Sequence, residues 1–301
     1  MTEMTFAPEA GHPLRVADGV RLILAPNPSP MTERGTNTYL LGSGDVTVVD
    51  PGPLIPAHLN AIRAGLGPSE RIAQILVTHS HKDHSPAAQP LAEATGAPIL
   101  AFGDSNAGRS THMQALSHDE IGGGEGVDMT FCVDQCLPDG AEIEAGGQRL
   151  LAIHTPGHLG NHMCFQWDDL LFTGDHIMGW APSLVSPPEG DLTDFMASLD
   201  RVERLGAMPY FPGHGAPIAD GLSRVQDLRR HRLGRETAIR LAVTKGARTL
   251  DAITRAVYTD VPPALLPAAT RNVLAHVIDL NTRAILEFEG NPGPAMQIHT
   301  R

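Results

Sequence analysis

Short apolar segments alternate with turn-forming residues over the first two thirds of the chain. They are rich in β-branched residues and are bounded by Gly, Pro, Asn and Asp, a pattern that predicts strands. The segments are 20–25, 37–42, 45–50, 74–79, 98–102, 149–154, 162–167, 170–174 and 209–213. Residues 85–96 lie between two of them and favour a helix, so this part of the chain predicts a strand, a helix and a strand in succession.

The clearest helical period lies at residues 191–205. Apolar side chains recur there at helical spacing, with Asp191 or Thr193 as the N-terminal cap and Gly206 as the end. These side chains are Leu192, Phe195, Met196, Leu199, Val202 and Leu205.

Two regions depart from the strand pattern. Residues 103–140 mix Gly, Ser and acidic residues without a period, which predicts a long surface insertion that walls or covers a site. From about Gly221 the strand pattern stops, and residues 222–285 favour helices before a short apolar segment, 285–290, that suits one strand of a small wing. The pattern therefore predicts a first domain over residues 1–220 and a helical C-terminal appendage over 221–301.

Composition sets the class of protein. A chain of 301 residues, 42% of them apolar, is long enough for a large domain with an appendage. Its three cysteines, Cys132, Cys136 and Cys164, cannot form a disulfide framework, so we expect a reducing, cytoplasmic location. There is no signal-peptide pattern and no run of about 18 apolar residues, so neither secretion nor contact with a membrane is expected.

The distribution of charge is uneven. The net charge of −12 disfavours non-specific binding to a nucleic-acid backbone. Residues 224–248, however, contain eight basic and two acidic residues. Such a stretch is more often a solvated helix face than a binding surface, but it can also draw an anionic substrate such as RNA towards a nearby site. Both interpretations remain open at this point.

Histidines and aspartates cluster in short loops after predicted strands. THSHKDH (78–84) directly follows an apolar strand, so three imidazoles and a carboxylate are crowded together. Three further segments, 154–162, 172–176 and 212–215, each place a His or an Asp beside glycine at a strand end. Imidazole and carboxylate groups are ligands of zinc and similar metals, and glycine allows close backbone approach. The sequence therefore predicts a catalytic metal site.

These motifs carry a resemblance to a known family. THSHKDH, TPGH, FTGDH and FPGHG, with VVDPGP (48–53) upstream, occur in the order typical of the metallo-β-lactamase superfamily, and the resemblance covers residues 15–220. It implies an αββα sandwich with metals at one sheet edge. The tail resembles that of β-lactamase-like proteins with a C-terminal winged-helix-like domain, a group that includes an endoribonuclease and some acyl thioesterases.

The resemblance also implies a ligand set for two zinc ions per chain, with iron or manganese as alternatives. His79, His81 and His158 correspond to the ligands of the first ion, and Asp83, His84 and His214 to those of the second. Asp175 corresponds to the carboxylate that bridges the two ions, and Asp50 supports the site without binding metal. Asp83 is also expected to orient the metal-bound hydroxide that attacks the substrate.

Departures from subfamily patterns narrow the function. Most β-lactamases of this fold replace the bridging aspartate with cysteine or serine, and residues 174–192 lack a segment that glyoxalase II enzymes usually carry. The favoured function is therefore a dinuclear zinc hydrolase of an ester, thioester or similar acyl bond. A metal-dependent endoribonuclease or phosphodiesterase is the alternative. A mononuclear iron persulfide dioxygenase and a non-catalytic binding module are disfavoured because neither needs Asp83, His84 and His214.

The expected partners follow from this function. They are a small-molecule or acyl substrate, with RNA as the alternative, and a second copy of the chain, since proteins of this group are often dimers. His154, His162 and His176 are expected to be hydrogen-bonded or partly buried near the site. Trp180 is expected to form a wall of the pocket.

Overall fold

The first and largest sheet has seven strands, which lie in the order of the chain. The structure, a computed structural model, describes residues 6–116, 121–124, 126–289 and 292–301. The strands are β1 (Pro13–Ala17), β2 (Val20–Leu24), β3 (Asn37–Leu41), β4 (Asp45–Val49), β5 (Arg71–Leu76), β6 (Ile99–Ala101) and β7 (Gln135–Cys136). β1 to β4 pair antiparallel, and β4 to β7 pair parallel, so the later strands end at one common edge.

The second sheet has five strands. They are β8 (Glu142–Ala145), β9 (Gln148–His154), β10 (Met163–Trp167), β11 (Leu170–Gly174) and β12 (Tyr210–Pro212), in the order β12-β11-β10-β9-β8. Neighbours pair antiparallel except β11 and β12, which are parallel. That parallel pair requires a crossover, which the helix α4 described below provides.

The sheets pack face to face with helices on both outer sides. Tyr39 of the first sheet and Phe165 and Phe172 of the second lie in one core cluster between the sheets. Helices α1 (Pro56–Ala64) and α2 (Ala88–Thr95) pack with the first sheet, as Ile62 and Leu91 show. A single turn, α3 (Thr111–Gln114), follows. The predicted αββα sandwich is confirmed.

Helix α4 (Leu192–Glu203) covers the second sheet. The Asp191 side chain caps it by accepting a hydrogen bond of 2.8 Å from the backbone N–H of Thr193. Phe195 and Leu199 are buried against the sheet, so the predicted apolar stripe is the packing face.

Three helices and a hairpin form the C-terminal region. They are α5 (Gly221–Thr244), α6 (Leu250–Val257), α7 (Leu266–Thr282), β13 (Leu286–Glu289) and β14 (Gln297–Thr300), with a 3-10 turn (Pro263–Leu265) before α7. Ile253, Val273 and Ile298 share a separate core there. The winged-helix-like appendage is thus confirmed. The boundary between residues 220 and 221 stays a prediction, since Val225 of α5 packs in the same cluster as Phe195.

The surface position predicted for residues 103–140 is wrong for the second half of that segment, although Val127 does line a cavity as expected of a wall. Val127, Phe131 and Leu137 are buried, and β7 extends the first sheet. These apolar side chains are too widely spaced to give a periodic signal, so the sequence pattern missed them. His118, which the sequence predicts to be an ordinary residue without a role at the metal site, lies outside the described residues. Among the residues that the structure describes, no helix has both the length and the hydrophobicity needed to cross a membrane.

Candidate metal centre

The predicted ligands lie on four loops that meet at one edge of the sandwich. Residues 79–84 follow β5, His158 lies between β9 and β10, Asp175 follows β11, and His214 follows β12. Their ligand atoms form two groups, each with all atoms within 4.8 Å of one another: His79, His81 and His158, and Asp83, His84, Asp175 and His214. The structure therefore brings all seven predicted ligands together.

Three ring nitrogens converge in the first group. His81 Nδ1 lies 2.9 Å from His79 Nε2 and 3.0 Å from His158 Nε2. Imidazole nitrogens that face one another so closely present mainly lone pairs, and a cation placed among them would offset that repulsion.

Two carboxylates and two imidazoles form the second group. His214 Nε2 lies 3.2 Å from Asp83 Oδ2 and 3.3 Å from His84 Nε2. Asp175 stands between the groups, because its Oδ2 is 3.4 Å from His214 Nε2 and 3.7 Å from His158 Nε2. This is the place that a bridging carboxylate would occupy.

The outward nitrogens of four of these histidines have hydrogen-bond acceptors. Nδ1–H of His79 donates to Thr78 Oγ1 at 3.0 Å, and Nδ1–H of His158 donates to the Leu184 carbonyl at 2.6 Å. His84 donates to Asp50 Oδ2 at 2.9 Å, and His214 donates to the carbonyl of residue 35 at 3.1 Å. In the neutral ring each bond fixes the tautomer, so that the nitrogen that faces the group carries the lone pair that ligation requires.

Asp50 anchors this arrangement from behind. Its carboxylate accepts hydrogen bonds from the backbone N–H and the hydroxyl of Thr78, both at 2.7 Å, as well as from His84. Thr78 in turn accepts from His79. Asp50 thereby orients one histidine of each group without facing either group's centre.

The two groups differ in electrostatics. Burial lowers the pKa of His79 well below its ordinary value, and burial together with the charge of His158 lowers the pKa of His81 to about 3. Burial also acts on His84 and His214, but the carboxylates around them overcome it. The pKa of His84 is raised well above its ordinary value, and that of His214 to about 9. The first group is thus neutral and the second mixes opposite charges.

This donor set fits divalent metal ions. Imidazole and carboxylate groups without a thiolate suit zinc and similar borderline metals, and each group offers at least three donors. Metal binding by these particular side chains stays a prediction.

Comparison with known proteins gives the family. Residues 31–214 match the family model of the metallo-beta-lactamase superfamily, and residues 249–290 match that of the beta-lactamase associated winged helix domain. The chain belongs to the metallo-β-lactamase superfamily. Members of this superfamily bind divalent metals and are typically metallohydrolases, so the chain is an enzyme of hydrolase type.

Relatives and solved structures agree with this membership. The beta-lactamase-like protein 2 homolog of Caenorhabditis elegans is 33% identical over 266 residues, covering 86% of this chain and 83% of that protein. The lactamase-like protein nscB of Trichophyton rubrum is 31% identical over 296 residues, covering 90% and 80%. A beta-lactamase domain protein from Burkholderia ambifaria has the same fold, with a TM-score of 0.83, 23% identity, and coverage of 99% and 96%.

Additional histidines surround the centre. His154 stacks on Phe102 with ring centroids 3.7 Å apart and donates to the carbonyl of residue 160 at 2.9 Å. His162 is buried beside the Thr155 hydroxyl at 2.9 Å, and His176 is buried against the Phe195 ring. The expectation that these residues are hydrogen-bonded or partly buried near the site is confirmed for His154 and His162, whereas His176 is fully buried.

A cavity of about 460 Å³ opens onto both metal groups and runs towards the C-terminal helices. His81, Asp83, His158 and Asp175 lie at one end. Apolar side chains form much of the remaining wall: Met31, Val127, Met178, Trp180, Leu184, Val261, Leu265, Ala268 and Ala269. Polar and charged side chains also line the cavity: Ser186, Glu189, His231, Arg232, Arg235, Tyr258 and Asn272. Trp180 is therefore a wall residue, as predicted.

Sequence reasoning missed the backbone acceptors and one hydroxyl. The carbonyls of Leu184 and of residue 35 orient His158 and His214, and Ser183 donates from its hydroxyl to the carbonyls of Asp175 and His176. A carbonyl is present at every residue, so no side-chain signal marks these positions in the sequence.

Proposed function

We propose that the chain is a dinuclear zinc-dependent hydrolase of acyl esters or thioesters. The supporting observation is the largely apolar cavity that opens directly onto the two ligand groups. An acyl substrate has a polar bond next to an apolar group, and this cavity offers both environments side by side. His79, His81 and His158 would hold one ion, and Asp83, His84 and His214 would hold the other. Asp175 would lie between the two ions.

Two bound zinc ions would lower the pKa of a water molecule towards about 7 and stabilise negative oxygen in the transition state. The chain's own contribution is orientation. Burial raises the pKa of Asp83, but the charges of His84 and His214 and the hydrogen bond from His214 outweigh it, so its net pKa falls below the ordinary value. Asp83 also lines the cavity. Its carboxylate therefore stays an acceptor that can orient the attacking water towards the substrate.

The cavity wall would bind the acyl group. Each buried methylene contributes about 0.8 kcal/mol, which corresponds to roughly a fourfold gain in binding. We expect kcat/KM to rise with acyl chain length until the cavity is filled.

The contacts of α5 disfavour the phosphodiesterase alternative. Arg229 pairs with Asp200 and Glu203 at 3.1 and 3.0 Å, and Arg224 donates to the Met178 carbonyl at 2.7 Å. Arg232 is only 3% exposed, which corrects the expectation of a solvated helix face at that position. Arg224 and Arg229 already serve contacts within the chain, so they are less available to a polymer backbone, whereas Arg232 and Arg235 line the cavity itself.

The test compares substrates on zinc-reconstituted protein. A series of linear acyl thioesters and esters would be assayed beside a short single-stranded RNA and a phosphodiester. We expect acyl hydrolysis that increases with chain length, and no comparable RNA cleavage. RNA cleavage with a higher kcat/KM than any acyl substrate would overturn the proposal.

A matched pair of variants tests the role of the cavity. Ala268→Phe fills part of the wall and should lower kcat/KM for long acyl groups by about 10-fold while sparing acetyl substrates. Leu241→Phe adds the same ring at an exposed position, 51% exposed, that lies outside the cavity lining. This variant should leave kcat/KM unchanged for both long acyl groups and acetyl substrates. Equal losses for short and long acyl groups in Ala268→Phe would show that the wall does not bind the acyl group.

A further inference from the structure

A short segment between β11 and α4 touches the metal centre on one side and the C-terminal helices on the other. We call residues 183–187 the strap. We infer that the C-terminal domain positions the predicted ligand His158 by fixing the strap, although among the described residues no side chain of that domain belongs to either ligand group. This inference rests on the metal site of the proposed function, but not on its acyl substrate.

The strap contacts His158 through one backbone carbonyl. His158 Nδ1–H donates to the Leu184 carbonyl at 2.6 Å, while Nε2 of the same ring faces the first ligand group. The position of this carbonyl therefore sets the orientation of the ring.

Helices α5 and α7 fix the backbone on both sides of that carbonyl. Arg232 of α5 donates to the carbonyl of Ser183 and, at 3.0 Å, to Oδ1 of Asn272. The same Asn272 oxygen, on α7, accepts the backbone N–H of Val185 at 3.2 Å. The residues before and after Leu184 are thus both held by the C-terminal domain.

A second arginine holds the far end of the strap. Arg271 of α7 donates to Ser186 Oγ at 2.8 Å and to the Pro187 carbonyl. It also donates to the carbonyls of Ile121 and residue 122, in the segment that precedes the cavity wall at Val127. Arg271 therefore connects both the strap and residues 121–122 to α7.

The strap also contacts the proposed bridging ligand. The Ser183 hydroxyl donates to the carbonyl of Asp175, and at 3.0 Å to that of His176. A shift of the strap would therefore disturb both His158 and the residue between the two groups.

Arg232 occupies a demanding position for a cation. It is 3% exposed, its guanidinium lies 4.9 Å from the centroid of the Phe195 ring, and burial lowers its pKa to about 10. A buried cation needs well-placed acceptors, and the Ser183 carbonyl is one of them. Arg232 and the strap thereby stabilise each other.

The test measures zinc affinity without substrate, because Asn272 also lines the cavity. Asn272→Ala removes the acceptor for Val185 and Arg232. Chelator competition on the folded, full-length protein should show zinc affinity about 10- to 100-fold lower, as for other residues that orient a metal ligand. Asn272→Asp keeps the acceptor oxygen and should restore most of that affinity.

A control variant separates positioning from domain packing. Thr193 Oγ1 donates to Asp279 Oδ1 of α7 at 2.8 Å, a contact between the same two regions that does not involve the strap. Thr193→Val should keep the wild-type zinc affinity. The side chain of Arg271 contacts the strap through the Ser186 hydroxyl and the Pro187 carbonyl. Arg271→Met should therefore lower the zinc affinity in the same direction as Asn272→Ala.

The outcomes are distinct. Wild-type zinc affinity in folded Asn272→Ala and Arg271→Met, or an equal loss in Thr193→Val, would overturn the inference. If Asn272→Ala does not fold, Arg271→Met alone decides, with faster hydrogen exchange at the Val185 amide as its second readout. A wild-type chain that hydrolyses no acyl substrate but binds zinc in this strap-dependent way would contradict the proposed substrate and leave the inference intact.

Discussion

At the residue scale, two aspartates at the metal centre have different tasks. Asp50 receives three hydrogen bonds from Thr78 and His84, whereas Asp175 stands within 3.7 Å of imidazole nitrogens from both groups. The first orients two of the predicted ligands, and the second lies where it would share its charge between two cations.

This difference predicts separate effects on metal content. Asp175→Ala should lower occupancy of the second ion and turnover together, because one change removes a charge from both groups. Asp50→Ala should retain more metal, with a loss of about 10- to 100-fold in affinity or activity. Elemental analysis and kcat of the two purified variants provide the comparison. The assignment fails if Asp50→Ala loses both metals while Asp175→Ala keeps them.

The sequence predicts side-chain groups well and backbone groups poorly. His79, His81, Asp83 and His84 are found together because a six-residue loop forces them together. The role of the Leu184 carbonyl as an acceptor could not be predicted from the sequence, because it depends on how α5 and α7 fix residues 183–187.

At the element scale, α4 depends on a glycine beside a predicted ligand. Residue 157 precedes His158 and has a φ of +132°, and a Cβ there would lie 2.3 Å from Phe195 Cα in the first turn of α4. The helix can approach the ligand loop so closely only because no side chain intervenes.

Gly157→Ala should therefore destabilise the fold by more than backbone strain alone would. We expect a loss above about 3 kcal/mol in the free energy of unfolding, because the backbone of α4 must move. Gly206→Ala is the control: its φ is +88°, but a Cβ there would meet nothing within 4 Å. It should cost about 1 kcal/mol. Denaturant unfolding measures both, and equal losses would show that the contact with Phe195 does not matter.

Elements with a clear apolar pattern were predicted, whereas several short or largely exposed strands were missed. The stripe of α4 and the apolar strands β3 and β4 have clear patterns. The strands β1 and β8 carry several exposed positions, and β14 is only four residues long, so tertiary pairing rather than local pattern defines them.

At the scale of the whole molecule, several histidines far from one another are buried in the neutral form. Burial lowers the pKa of His58 under the first sheet to about 4 and, with the nearby charge of Arg232 adding to burial, that of His276 in α7 to about 3. In the unfolded chain the pKa of these histidine side chains is about 6.5. Between these values the unfolded chain binds more protons, so stability falls as pH falls.

His276→Leu should reduce this sensitivity to acid. Each such histidine contributes a loss of up to about 1.4 kcal/mol per pH unit between its unfolded and folded pKa values. The variant should therefore lose less stability than the wild type between pH 6 and about 4.5. His12→Gln, at a side chain that is 70% exposed, should follow the wild type. Denaturant midpoints measured at each pH test this prediction. Parallel curves of stability against pH for His276→Leu and the wild type would contradict it.

The contacts of the strap also bear on the order in which the parts of the site form during synthesis of the chain. A chain leaves the ribosome from its N-terminus, and its earlier parts begin to fold first. The histidine triad is complete once residue 158 has emerged, the second group waits for His214, and the anchors Arg232, Arg271 and Asn272 come last. A growing chain therefore contains the three histidines before it contains either the complete second group or the residues that are proposed to fix His158. The proposed positioning of His158 by the C-terminal helices can therefore form only after residue 272 has been synthesised.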